Sequence, residues 1–400
     1  MPERFDTRAI TECIDWEYGD VVSPIHLSST YRLGGVDPEA HLEDVEPEEG
    51  EFLYSRLANP TRHAVERQLA DLEGGEMAFG FASGTAAVAT AIMSSVEPGD
   101  HVVAFEDLYA GTRRMLGDLF VRRLGVTVDY VDATDAENVA SAVGDGTALI
   151  WMETPTNPMT RLCDIAGIAE IATKHDAVFG VDNTFASPYF QQPLTLGADL
   201  VIHSTTKYLN GHSDGVGGAL VTDDPVVAET VGFQQRVALG NVLPPFDSYL
   251  LSRGIKTLPV RMRQHQENAM ELAAYLADHA AVESVYYPGL ESHPQHDLAV
   301  EQMSGYGGVL SFELAGGVQE VQSFVDSLET MNLAVSLGGV ETLLNHPATM
   351  THEPLGEKRR AELGITDSLI RLSVGLEDVT DLREDLDRGF EAVTAARPTR

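Results

Sequence analysis

Residues 199–215 read DLVIHSTTKYLNGHSDG, and two incompatible chemistries are written into them. GHSDG, residues 211–215, matches the G-x-S-x-G pattern of a hydrolase nucleophile elbow. Lys207 stands four residues before Gly211, in a run of hydroxyls formed by Ser204, Thr205 and Thr206. An elbow needs a strand running directly into the serine and a helix leaving it. Here the strand stops near His203, KYLN intervenes, and the following GVGGALVTDD reads as another strand. No helix leaves Gly215, so the serine reading fails. GVGG also lacks the third glycine and the strand–turn–helix setting of a dinucleotide fingerprint. The lysine is left as the reactive group.

Upstream, the same grammar repeats. MAFGFASGTAAVATAIMSSV reads as a short apolar strand, a small-residue turn and a helix. HVVAF (101–105), VTVDYV (126–131), ALIWME (148–153), AVFGVD (177–182) and DLVIHS (199–204) are strand candidates, with helical stretches such as 164–175 between several of them. Strands alternating with helices imply an α/β domain whose mostly parallel sheet is covered on both faces. Ligands of such sheets sit at the carboxyl ends of the strands. Before this domain, residues 1–60 read as an arm rich in Pro, Gly and acids, loop-like from Gly34 to Gly50. A helix then opens with Asn59 as N-cap and Pro60 at the first position, carries Val65, Leu69 and Leu72 on one face, and ends at Gly74-Gly75. After about residue 250 the pattern changes. Helices over 267–280, 318–328 and 381–396 and strands over 307–314 and 369–376 predict a smaller domain. The expected organisation is an arm (1–60), a large domain (61–252) and a small C-terminal domain (253–400).

The bulk numbers narrow the function. The 400 residues are 43% hydrophobic. No apolar run reaches the length of a membrane span, and the N-terminus has no apolar core of a signal peptide, so a cytoplasmic protein is expected. Cys13 and Cys163 form no CxxC pair, which suggests neither a disulfide framework nor a zinc site. Acidic residues number 62 against 26 basic ones, for a net charge of −36. Nucleic acid is not an expected partner, because its phosphates would be repelled. The acids are spread along the chain, which suggests a protein that stays soluble in molar salt, where screening weakens self-repulsion. Lysines are scarce: Lys174, Lys207, Lys256 and Lys358 are all there are. A lysine retained against that bias is a stronger candidate for chemistry.

A Schiff-base lysine works beside an electron-sink cofactor. Pyridoxal 5'-phosphate (PLP) makes three demands that the strand ends meet. Its phosphate needs backbone N–H groups at a helix start and hydroxyls. SGTAA, opening at Ser83, offers the first, and Ser204 and Thr206 the second. Its pyridine nitrogen needs a carboxylate, and Asp182 ends the strand AVFGVD. Its ring needs a cover, and Tyr109 follows HVVAF. Each of these residues alone has an ordinary structural reading; their common position at strand ends favours PLP.

With those residues placed, the sequence resembles the Cys/Met-metabolism (trans-sulfuration) family of fold-type I PLP-dependent enzymes. That family includes cystathionine γ-synthases, cystathionine γ- and β-lyases, methionine γ-lyases and O-acylhomoserine sulfhydrylases. The resemblance runs from FDTRAI (5–10) to RLSVGLED (371–378), through YSRLANPTR, FASGTAA, ETPTNP, VDNTFASP, HSTTKYLNGHSDG, SLGGVETL and HPATMTH. It implies the aspartate aminotransferase-like fold, with a large PLP domain and a smaller α/β domain. It implies that Lys207 carries the cofactor, Asp182 pairs with the pyridine nitrogen and Tyr109 stacks on the ring and helps move protons. Ser83, Gly84 and Thr85, with Ser204 and Thr206, would hold the phosphate. Tyr54 and Arg56 would reach it from the neighbouring subunit of a homotetramer built as a dimer of dimers. Arg371 would clamp the α-carboxylate of an amino-acid substrate, helped by Asn157 and Ser336. HPQH (293–296) is read as surface structure, and HPATMTH carries no metal role, so no metal is expected.

Within the family, reaction type hangs on the pocket for the distal part of the substrate. Members that handle cystathionine often carry glutamates just before the Tyr of YSR and the Ser of SLGG. This chain has Leu53 and Val335 there, and apolar walls favour a thioether over an ammonium, which is costly to bury unpaired. Methionine γ-lyases commonly carry a cysteine two residues after the stacking tyrosine. This chain has Gly111, after an Ala110 where glycine is more usual, and SLGG rather than SLGD. The expectation is a cystathionine γ-synthase/γ-lyase type, acting by γ-replacement or by α,γ-elimination to 2-oxobutanoate and ammonia. A methionine γ-lyase-like enzyme is the alternative, an O-acylhomoserine sulfhydrylase the third reading, and a non-catalytic PLP-binding protein a remote one.

Overall fold

A computed structural model describes residues 4–11, 18–33, 35, 47 and 50–396. Most of the loop expected over 34–50, and Cys13, lie outside these residues.

Seven strands form the larger sheet: β1 (Met77–Phe81), β2 (His101–Phe105), β3 (Thr127–Val131), β4 (Thr147–Glu153), β5 (Val178–Asp182), β6 (Leu200–His203) and β7 (Gly218–Thr222). Their order is β1-β7-β6-β5-β4-β2-β3, and β7 alone runs against the rest. β4, β5, β6 and β7 are apolar along nearly their whole length, as a sheet covered on both faces requires. The chain steps from β2 outward to β3 and then back to β4 on the other side of β2. That reversal opens a crevice beyond the carboxyl ends of β2 and β4, the place where doubly wound sheets bind ligands.

The sequence signals for the flanking helices hold. In α2 (Pro60–Glu73), the Asn59 side chain accepts the N–H groups of Thr61 and Arg62, and Gly74 closes the helix with φ of 77°. A helix also occurs within the arm, α1 (Phe5–Ile10), where no element was assigned from the sequence. Ala9 on α1 is fully buried, and Gln68 on α2 donates to its carbonyl, so packing against α2 supplies what six residues cannot supply alone.

After the helix Leu258–Ala277, which starts nine residues before the stretch expected at 267, comes a second sheet. It contains β8 (Val282–Tyr286), β9 (Val309–Leu314), β10 (Asn332–Leu333), β11 (Leu343–Asn345) and β12 (Leu369–Ser373), in the order β10-β11-β12-β9-β8. Only β10 and β11 pair in parallel. Leu310, Phe312, Ile370 and Leu372 pack on Phe324 of the helix Val318–Asp326 and on Leu386 and Phe390 of the helix Val379–Ala396. A separate apolar cluster, including Tyr208, Leu258, Met262 and Leu337, joins the two sheets. Among the described residues no helix is long and apolar enough to cross a membrane.

Candidate active site

The crevice beyond the strand ends is a cavity of roughly 460 Å³. Lys207 lies in the loop after β6, mostly buried. Its Nζ donates to Ser336 Oγ at 2.7 Å. Burial, together with the positive charge of Arg371, lowers the Lys207 amine from 10.5 to about 8. Ser336 is held in a left-handed conformation (φ 83°), and its carbonyl accepts from Arg371 Nη2 at 2.6 Å. Arg371 projects from the middle of β12, fully buried. Its Nη1 donates to Asn157 Oδ1 at 2.9 Å, while Nε is buried with no partner among the described residues. An unsatisfied guanidinium donor beside a cavity is a ready place for a carboxylate.

Asp182 closes β5 on the cavity floor. Thr184 donates to its Oδ1 twice, from the backbone at 3.1 Å and from the hydroxyl at 2.5 Å. Burial raises the Asp182 carboxyl, and those donors and His203 oppose the rise. A cationic ring nitrogen in the cavity would hold it ionised.

The helix α3 (Gly84–Ser95) points its N-terminus at the same space. Ser83 spends its hydroxyl capping that helix, accepting from the Ala86 N–H at 3.1 Å. Its neighbour must be glycine, because a Cβ on Gly84 would lie 2.7 Å from the Ser204 Cβ. Helix start and lysine loop are thereby pressed together, with Gly84, Thr85, Ser204 and Thr206 around one end of the cavity. This is a cradle for an anionic group. Tyr109 caps the helix α4 (Ala110–Met115) and lies over the opening, 44% exposed. An amine, a carboxylate, an anion cradle and an aromatic cover therefore share one cavity, and they fit PLP.

Fifteen residues were singled out from sequence. Twelve of them line this cavity: Ser83, Gly84, Thr85, Tyr109, Asn157, Asp182, Ser204, Thr206, Lys207, Val335, Ser336 and Arg371. Leu53, Tyr54 and Arg56 do not line it. Arg56 stacks on Tyr54 and donates to the Arg236 carbonyl, and Leu53 gives its carbonyl to the Tyr31 N–H. Leu53 is thus no wall of its own chain's pocket. The HPQH reading also needs correcting. His293 is 5% exposed, with Nδ1 accepting the Gln295 N–H, and His296 starts a helix. Burial pushes His293 down to about 4, so it belongs to the packed interior rather than the surface.

Sequence reasoning missed Glu153, Thr184, Phe185 and Thr351, which also line the cavity. Glu153 and Thr184 sit inside the quoted motifs ETPTNP and VDNTFASP. Their place just at or after a strand end was the available signal. Thr351 belongs to HPATMTH, where its hydroxyl donates to Asn345 Oδ1, and the next residue, His352, meets the Asn157 carbonyl through Nε2. That segment braces the Asn157 side of the cavity.

Comparison with known proteins agrees with this geometry. The family described as Cys/Met metabolism PLP-dependent enzyme matches residues 6–391. A cystathionine beta-lyase of Coxiella burnetii is 48% identical over 370 residues, 92% of each chain. A cystathionine gamma-lyase of Bacillus subtilis is 46% identical over 382 residues, 95% of this chain and 96% of that one. The crystal structure of cystathionine gamma synthase from Xanthomonas oryzae pv. oryzae in complex with cystathionine superimposes with a TM-score of 0.93 at 41% identity, covering 99% of this chain and 100% of that one.

Proposed function

The chain belongs to the Cys/Met metabolism family of PLP-dependent enzymes, and from that premise we propose that it acts at Cγ of sulfur amino acids or homoserine esters. It is a trans-sulfuration enzyme of the cystathionine type. The finer reading is the γ-synthase/γ-lyase type, by γ-replacement or by α,γ-elimination to 2-oxobutanoate and ammonia.

One observation carries the catalytic reading. Lys207 and Arg371 meet at Ser336, which accepts from the amine through its hydroxyl and from the guanidinium through its carbonyl. A substrate whose carboxylate binds Arg371 has its Cα beside Lys207 Nζ. PLP, when bound, supplies an electron sink for the charge left at Cα. Lys207 holds the proton taken from Cα at Nζ and can deliver it onward. With burial lowering it to about 8, a useful fraction of the amine is neutral near pH 7. Asp182 orients the cofactor from the floor, and Tyr109 covers it and excludes water. Departure of the γ-substituent needs a second proton movement at Cβ, for which Lys207 and Tyr109 are the groups at hand.

Cystathionine is preferred over methionine in this reading because of Gly111. A Cβ at that position would lie 2.4 Å from the Tyr109 ring, so the cysteine common in methionine γ-lyases would displace the ring. Val335, apolar and on the cavity wall, supports methionine as the second reading. The test is product analysis with L-cystathionine and L-methionine. Release of 2-oxobutanoate and cysteine from cystathionine supports γ-chemistry. Pyruvate with homocysteine would move the assignment to β-elimination, and methanethiol from methionine as the main product would promote the second reading.

Tyr54 and Arg56 stand outside their own chain's cavity, which supports sites shared between subunits of a cytoplasmic homotetramer. Mixing Arg56→Ala with Lys207→Ala subunits should then restore turnover that neither has alone. The charge of −36 supports a salt-adapted protein, whose unfolding temperature should climb with molar KCl.

A further inference from the structure

Two carboxylates, not one, end neighbouring strands on the cavity floor. Glu153 closes β4 directly opposite Asp182 on β5. Both face the same cavity. PLP has one ring nitrogen, so one of the two is left over. Among the described residues no Lys, Arg or His makes an ion pair with Glu153. A second acid, Asp107, approaches it from the loop after β2, and Asp182 from β5; Lys207 and Arg371 also line the cavity but do not pair with it. Two buried carboxyls side by side do not both ionise.

What Glu153 does hold is backbone. Its Oε2 accepts the Tyr109 N–H at 2.7 Å, and the nearby Asn157 N–H also favours its ionised form. The first is the N-cap of α4, which carries the ring cover. The second belongs to the residue whose Oδ1 orients Arg371. These two loops flank the crevice where the strand order reverses, after β2 and after β4, and one side chain ties them together.

We propose that Glu153 is a positioning residue, kept as a neutral carboxylic acid, that couples the aromatic cover of the cofactor to the clamp for the substrate carboxylate. Burial and the Asp182 charge, in that order, raise its carboxyl well above the ordinary range, against the backbone N–H groups of Tyr109 and Asn157, which favour the ionised form. The proposal rests on the PLP reading of the cavity, but not on which sulfur amino acid is cleaved.

The test compares wild type, Glu153→Gln and Glu153→Ala. Infrared difference spectra of the apoenzymes should show a carboxylic-acid carbonyl band in wild type that Glu153→Gln removes. Glutamine matches the acid in shape and can accept the Tyr109 N–H through its amide oxygen. Equilibrium dialysis of apoenzyme against PLP, and KM for L-cystathionine, should therefore stay within about threefold of wild type in Glu153→Gln. Glu153→Ala releases both loops. It should weaken PLP binding and raise KM, each by about tenfold or more, with a smaller fall in kcat. Identical infrared spectra for wild type and Glu153→Gln would overturn the neutral acid. An alanine variant with unchanged KM and PLP affinity would overturn the coupling. If the alanine variant does not fold, a Glu153→Gln enzyme with tenfold weaker PLP binding overturns the proposal by itself. Neither the infrared band nor apoenzyme dialysis depends on turnover, so an error in the assigned reaction would show separately, as wild-type enzyme that releases no 2-oxobutanoate.

Discussion

The floor and the rim of the cavity are built by different rules. On the floor, Arg371 is buried and Asp182 and Lys207 are partly buried, and every one is held by another side chain or carbonyl of the same chain: Thr184 for Asp182, Ser336 for Lys207, and Asn157 with Ser336 for Arg371. On the rim, Tyr109 is 44% exposed and Val335 61%, and Leu53, Tyr54 and Arg56 lie outside the cavity altogether. On the proposed roles, the difference separates reaction from selection. Groups that move protons and bind charge need fixed positions and low dielectric. Groups that choose among substrates need only shape and polarity at the entrance, and they can change without disturbing the fold.

The comparison is hit hardest at Lys207. On the proposed roles, removing the amine in Lys207→Ala takes away the cofactor linkage and the Cα base together. Keto-acid release should fall by at least ~10³-fold while thermal stability of the apoenzyme holds or rises. Full turnover in that variant would show that the floor has been misassigned. Arg371→Ala comes next. Loss of a charge-assisted contact to the substrate carboxylate should lower kcat/KM by about 10–100-fold, chiefly through KM, and it leaves the Asn157 Oδ1 and Ser336 carbonyl without their donor. An effect confined to kcat would mean that Arg371 serves the chemistry rather than binding.

Burial of the floor can be read in solution by titration. The folded state lowers Lys207 from 10.5 to about 8. Between those values the unfolded chain binds more protons than the folded one, so stability rises with pH across that window. The deficit is fully present below pH 8 and disappears above 10.5, and 1.36 kcal/mol per unit makes it about 3 kcal/mol. Urea unfolding of wild-type and Lys207→Met apoenzymes at pH 7 and pH 10 isolates this contribution from other titrating groups. The difference should move in favour of wild type as pH rises. A difference that ignores pH would place the amine in water, and the contrast between floor and rim would lose its physical basis.

Legibility followed the same division. Asp182, Lys207 and the α3 cradle were readable because strands announce themselves by apolar runs, and chemistry collects where the runs end. The N-cap Asn59 and the closing Gly74 were readable because a helix end needs a particular local residue. Glu153 was not read as functional, although it ends β4 as Asp182 ends β5. Its role lies in which backbone groups reach it, and that depends on loops folding back from residues 109 and 157. Helix α1 escaped because its stability comes from α2, some sixty residues away in the chain, rather than from its own six residues. His293 was misplaced for a similar reason. A polar, Pro-containing segment looks like surface until the packing around it is known.

Val335 tests the rim with the smallest expected effect. The side chain stands on the cavity wall and is largely exposed, so Val335→Glu should change global stability by no more than about 0.5 kcal/mol. On the proposed reading it would place a carboxylate on the wall facing the distal ammonium of cystathionine. A partly exposed charge pair is worth about 0.2–1 kcal/mol in binding, so KM for cystathionine should fall by a few-fold at most. Methionine has no distal ammonium, and the added charge would only make its surroundings more polar, so its kcat/KM should fall. The ratio of the two kcat/KM values is the sensitive reading, because each substrate serves as the control for the other. A ratio that shifts toward cystathionine with stability unchanged would show that this wall selects by polarity alone. If both substrates fail together, Val335 is bound up with Ser336 and Lys207 beside it, and selection here cannot be separated from the floor.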